Sequence, residues 1–243
     1  DYSHLLESEF VKKWLKNYSK NQHRPRLSIL DKFCKFIDKN PAFSENDLKK
    51  KVSHAFLEVQ EAWSKQDLSK VRRYISDGIW QFFHTQFAMM ELLDLREQLD
   101  HFQIHNIFID RFESDGNYDI VHVGVHASMR RRFSCDRLPQ LETTDTGDFI
   151  EFWSFIRKRG KAVKNIYHFE TCPSCSAHLG EQMGELSRCG YCGALVNSGE
   201  YDWVLLRISQ ADDYAGGRRL MKAQHHALRR SSLVDRYIDF SVR

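Results

Sequence analysis

Two Cys-x-x-Cys pairs, Cys172/Cys175 and Cys189/Cys192, place four of the chain's six cysteines within residues 172–192. Two intervening residues let both sulfurs of a pair point into one small volume, and the tight turn between them frees backbone N–H groups for the thiolates. Pro173 stiffens the first turn, and Gly190 and Gly193 permit the second. Four thiolates suit the tetrahedral shell of structural zinc. The segment between the pairs, residues 176–188, is slightly shorter than the usual ribbon spacing, so a short loop is expected. Two disulfides are the alternative. Cys34 and Cys135 have no evident partner, which fits a reducing compartment and favours metal. A closed four-cysteine site leaves no position for substrate, so the expected cofactor is one structural Zn ion.

The chain has 243 residues with 42% hydrophobic and 13% aromatic content, enough for one large domain or two small ones. A net charge of +3 is too mild to argue nucleic-acid binding. No window approaches eighteen apolar residues, and no signal-peptide pattern is expected. The sequence starts at Asp1, so a fragment of a longer chain, with a membrane anchor upstream, is one expectation.

Along the chain, residues 1–43 read as a helical arm. Leu6, Phe10, Trp14 and Tyr18 share one face, and Pro25 separates them from a short helix through Ile29, Phe33, Phe36 and Ile37. Residues 44–165 plus 200–210 read as the main α+β domain. Ser44 caps a long helix with the stripe Leu48, Val52, Phe56, Val59 and Trp63. Asp67 is expected to cap a short helix to Ile75, and Ser76 and Asp77 to open a long one reaching Asp100. From His101 the texture alternates, and "ESDGN" marks a β-hairpin. "LPQLETTDTGD" reads as a polar loop before a third strand, "FIEFWSFIRKR"; "EYDWVLLRIS" is a fourth. Residues 166–199 are then an inserted zinc ribbon, an elaborated hairpin loop stapled by metal. Residues 211–243 are a basic tail with weak helical periodicity. Helices first and antiparallel strands after is the α+β pattern, with helices packed on one face of a curved sheet.

The stretch "AFLEVQEAWSKQDLSKVRRYISDGIWQFFHTQFAMM", the hairpin, "EFWSFIRK" and "DWVLLRIS" resemble the Tim44-like domain family over roughly residues 45 to 209. The ribbon and the "NSGEYDWVL" after it resemble its bacterial members. The resemblance implies a nuclear-transport-factor-two-like cone: a curved antiparallel sheet wrapped on helices with a pocket between. It also implies a membrane-surface or protein-docking role at the cytoplasmic side of a bacterial inner membrane. The mitochondrial import member lacks this ribbon, so chaperone tethering is not carried over.

Other residues suggest chemistry or contact. His122 and His126 share a strand face opposite Val121, Val123 and Val125, with His101 and His105 close to the partner strand. They form either an acid–base or metal cluster, with Asp110 and Asp119 as candidate carboxylates, or simply a polar sheet face. Phe83, Phe87 and Met90, with His122 and His126, are candidate pocket residues for an apolar ligand, or plain core. Lys12, Lys13, Trp14 and Lys16 on the first helix, and Arg130, Arg131 and Arg132, are candidate contacts for an anionic membrane or a membrane-protein partner. The competing reading is domain packing for the helix and a solvated strand end for the arginines. Nucleophile, phosphate-loop and dinucleotide motifs are absent. The sequence therefore points to a non-enzymatic, membrane-associated adaptor. A cone-fold enzyme using pocket His/Asp residues and a structural domain of a larger membrane protein are the alternatives.

Overall fold

The computed structural model describes residues 27–168, 170–179, 187–211 and 214. The first-helix candidates Lys12, Lys13, Trp14 and Lys16, and the tail beyond Tyr214, lie outside the described residues.

Three helices precede the strands: α1 (Leu27–Lys39), α2 (Glu45–Lys65) and α3 (Asp77–Leu92). Ser44 and Ser76 cap α2 and α3 by accepting hydrogen bonds from the Asp47 and Ile79 backbone N–H groups. The expected helix from Asp67 to Ile75 is instead a run of turns. Asp67 spends its carboxylate on the Ser69 N–H, a local turn that competes with helix.

Helix α3 stops at Leu92, eight residues before the sequence-based expectation. Asp94 adopts the left-handed region (φ 53°), and β1 (Leu95–Asp115) begins at once. The leucines of "LREQLD" serve strand alternation: Glu97 and Leu99 are buried, while Arg96 and Gln98 are exposed. β2 (Tyr118–Cys135) returns from the expected hairpin turn, where Gly116 holds φ 55°. β3 (Thr143–Lys158) also starts earlier than expected, because Thr144, Asp145 and Thr146 pair with Arg132, Arg131 and Arg130. β4 (Val204–Gln210) closes one antiparallel sheet in the order β1-β2-β3-β4.

One face of the sheet meets the helices. Val121, Val123, Val125 and Ala127 are fully buried there with Phe56, Trp63 and Trp153. Phe33 and Phe36 of α1 join the same core through Phe112, with the Phe36 and Phe112 rings stacked at 4.0 Å. The second half of the expected arm at 1–43 thus packs as part of the main body. Asp119 ties α1, the hairpin and the end of β3 together. Its carboxylate accepts hydrogen bonds from Asn40 (2.9 Å), Ser114 (2.9 Å) and Arg159 (2.5 Å).

Candidate functional site: the cysteine cluster and the outer sheet face

Residues 159–203 leave β3 and return to β4, and the four cysteines sit at the middle of this excursion. Each pair forms the same turn. The Ser176 N–H donates to the Cys172 carbonyl, and the Gly193 N–H to the Cys189 carbonyl, both at 2.9 Å. Both turns need a left-handed residue just after the second cysteine, Ser176 (φ 62°) and Gly193 (φ 73°).

The sulfurs converge so that all four lie within 4.8 Å of one another. Cys172 and Cys192 Sγ are 3.7 Å apart and Cys175 and Cys189 Sγ 3.8 Å. A disulfide needs about 2.05 Å. Bonds of about 2.3 Å to a tetrahedral centre put sulfurs about 3.8 Å apart, the spacing of these two pairs, so the cluster is compatible with zinc. The electrostatics agree. The N–H groups of Cys192 and Tyr191 pull the Cys189 thiol down to about 7. The Ala177 N–H pulls Cys175 the same way, but hydrogen bonding with the neighbouring thiols and burial push it up to about 12. Four such sulfurs hold four negative charges together only around a cation.

The cluster is wired into the body. Cys172 and Cys189 are buried in the main core with Leu179 and Val196. Beyond the second turn, Asn197 donates to the Ile75 carbonyl and the Asp77 carboxylate, both at 2.9 Å. The fully buried Arg72 pairs with the same Asp77.

The expected pocket set does not assemble. Phe83, Phe87 and Met90 are buried on the helix side of the sheet, where the Phe83 and Phe87 rings lie 5.0 and 5.2 Å from that of Trp63. His122 and His126 stand on the opposite face of β2, because alternation separates them from the core valines. The chain's own aromatic side chains fill the helix side.

On the outer face the histidines separate into two settings. His122 is buried, and its Nδ1 lies 2.8 Å from Ser154 Oγ. Burial, then the Arg111 charge, lowers it to about 4 against the pull of Glu113. Neither expected aspartate reaches it. Asp110 accepts the Tyr214 hydroxyl at 2.6 Å, and Asp119 serves the tie described above. Between the histidines, the Phe108 ring lies over Gly124, where a Cβ would come within 2.2 Å of Phe108 Cζ. His126 instead meets His105, with ring centroids 4.9 Å apart, and both face Asp148. Asp148 closes the stretch expected to be a polar loop, residues 138–148, and instead belongs to β3. His101 is exposed beside Asp100, away from both groups.

The arginine run is not free charge. Arg130 grips Asp100 with two hydrogen bonds (2.7 and 2.8 Å), Arg132 reaches the same carboxylate at 3.4 Å, and Arg131 lies 3.7 Å from Glu97. At the same end of the sheet, where Leu95 pairs with Cys135, large apolar side chains are exposed. Leu92 (74%), Leu93 (48%) and Met89 (47%) project from the end of α3, and Leu138 and Leu141 from the β2–β3 connection. Arg137 pairs with Asp94, holding that connection against the helix end.

These features define an α+β domain, helices packed on one face of an antiparallel sheet, with a four-cysteine ribbon set between its last two strands. The family model of the Tim44-like domain matches residues 33–168. That is more than half of the chain, and the protein belongs to the Tim44-like domain family. Among solved structures, the crystal structure of the intermembrane space region of chloroplast protein ARC6 is similar at TM-score 0.39 and 10% identity, covering 69% of this chain and 96% of that one. No curated protein matches the chain. No helix among the described residues is long and apolar enough to cross a membrane.

Proposed function

We propose that this protein is a non-enzymatic, membrane-associated docking module that meets the lipid surface through the apolar end of its sheet. The observation that carries the reading is the gathering of Met89, Leu92, Leu93, Leu138 and Leu141 there, all large, apolar and exposed. Membership of the Tim44-like family supports a role at membranes. The packing of Phe83 and Phe87 on Trp63, and the absence of an aspartate partner for His122 among the described residues, support a docking role over catalysis. In this reading the four cysteines hold one structural zinc, which fixes the return into β4.

The paired arginines set the expected salt response. Three cations share two carboxylates, so among the described residues at this end of the sheet little free charge remains to seek anionic lipid. Vesicle co-flotation of the purified protein should therefore succeed with neutral phosphatidylcholine as well as with anionic vesicles. It should change little between about 0.05 and 0.5 M salt. Each leucine that inserts contributes about 1.5–3 kcal/mol, so Leu92→Ser with Leu93→Ser should lower the bound fraction more than tenfold. A wild-type protein that stays below both kinds of vesicle, or a double variant that floats equally well, would overturn the reading.

A further inference from the structure

We propose that His105, His126 and Asp148 form a second metal site, on the outer face of the sheet, for a divalent cation of the zinc–cobalt–nickel class. It is separate from the cysteine ribbon in sequence, strand and donor chemistry.

Three adjacent strands build it. His126 of β2 pairs across to Asn106 of β1 and to Ile150 of β3, so it sits at the middle of the sheet. Asp148 lies two residues before Ile150, on the same face and diagonal to His126. His105 is the inserted residue of a bulge, because the β1–β2 register shifts between Ile104 and Asn106. Ile104 pairs with Ala127 and Asn106 with His126, so His105 is left unpaired between them with its ring 4.9 Å from that of His126. Bulges recur where a strand must redirect a side chain toward a site.

The donor atoms face one another without bonding one another. His105 Nε2 is 3.7 Å from one Asp148 oxygen, and His126 Nε2 is 3.7 Å from the other. Both gaps are too long for a hydrogen bond. His126 Nε2 is buried and has no hydrogen-bond partner, which costs free energy wherever it persists. All three donors nevertheless lie within 4.8 Å of one another. Metal–ligand bonds of about 2.1 Å need donors roughly 3–3.5 Å apart, and small rotations of half-exposed side chains supply that contraction. Ser128 Oγ, 3.0 Å from His105 Nε2, has to yield that nitrogen as the metal enters.

Two imidazoles and one carboxylate are borderline donors that suit zinc, cobalt and nickel better than calcium or magnesium. Three protein ligands leave at least one position for water, unlike the closed cysteine shell. The site is therefore exchangeable, whereas the ribbon is structural.

The test uses the full chain with its cysteine cluster first saturated with zinc. Nickel is then titrated and followed by calorimetry, with magnesium as the control cation. One further equivalent of nickel should bind, with no uptake of magnesium. His126→Gln and Asp148→Asn should each weaken nickel binding at least tenfold, while their zinc content and circular dichroism stay at wild-type values. Absence of the further equivalent, or nickel binding unchanged in both variants, would overturn the proposal.

Discussion

His122 shows how burial sets the chemistry of a single residue. Its ring lies under the Tyr214 ring, 5.8 Å between centroids, and its Nδ1 is engaged by Ser154. An unfolded imidazole takes up its proton near pH 6.5. The folded one does so only near 4, chiefly because burial disfavours the charged form. Between those values the unfolded chain holds more protons, so stability falls as pH drops through that window. Proton NMR of the ring should give a titration midpoint near 4, and chemical denaturation should show the midpoint falling from about pH 6.5 downward. A ring that titrates above pH 6 would contradict this account. The shared face of His122 and His126 was legible, since strand alternation needs only a period of two. The grouping of His126 with His105 and Asp148 was not. A bulge breaks that period, and Asp148 lies in a stretch whose polar residues face solvent and partner arginines rather than a core.

Among the elements, the cysteine ribbon was the most legible, because its geometry is local: spacing alone fixes where two sulfurs of a pair can point. Its function in the fold depends on the segment that leads from it into β4. Asn197 reaches the start of α3, and the Leu205 N–H then donates to the Tyr74 carbonyl at 2.7 Å, so ribbon, turn segment and β4 share hydrogen bonds. Releasing the metal should free this set before it frees the hairpin. Cys175→Ser or Cys192→Ser, both at exposed positions, should abolish cobalt's thiolate charge-transfer bands. Each should also speed amide exchange at Leu205 at least tenfold, about 1.4 kcal/mol of local stability, while the β1–β2 amides change less. A variant with wild-type melting and exchange would refute the metal staple. Two element boundaries misled sequence reasoning for one reason. Between Asp67 and Leu99, hydrophobic spacing fits helix, turn and strand alike, and side-chain competition at Asp67 and the left-handed Asp94 decide among them.

At the scale of the molecule, the order of helices, hairpin and late strands predicted a sheet covered on one face, and gave no sign of what covers the other. There Tyr214, only four residues beyond β4, returns over the outer face. It stacks on Phe152 at 4.0 Å, lies under the Arg111 guanidinium and donates its hydroxyl to Asp110. Burial raises Asp110 above the usual carboxylate range, and the Tyr214 hydroxyl opposes that shift by bonding the charged form. Two effects of this one residue are separable. Tyr214→Phe keeps the stacked ring and leaves a buried carboxylate short of a donor, at a cost of about 1–3 kcal/mol. Because the lost bond favoured the charged form, Asp110 should then hold its proton to higher pH. The folded state would keep a proton that the unfolded chain has lost, so the penalty should shrink as pH falls toward 4. Tyr214→Ala loses the same hydroxyl and the ring as well, uncovering Phe152 and Phe108, which should cost about 3–5 kcal/mol at pH 7, and the ring's share of that cost should persist as pH falls. Urea titrations of both variants at pH 7 and pH 4.5 separate the two. Equal penalties for Phe and Ala would mean that the ring adds nothing, and the outer face would then be open sheet rather than a second, smaller core.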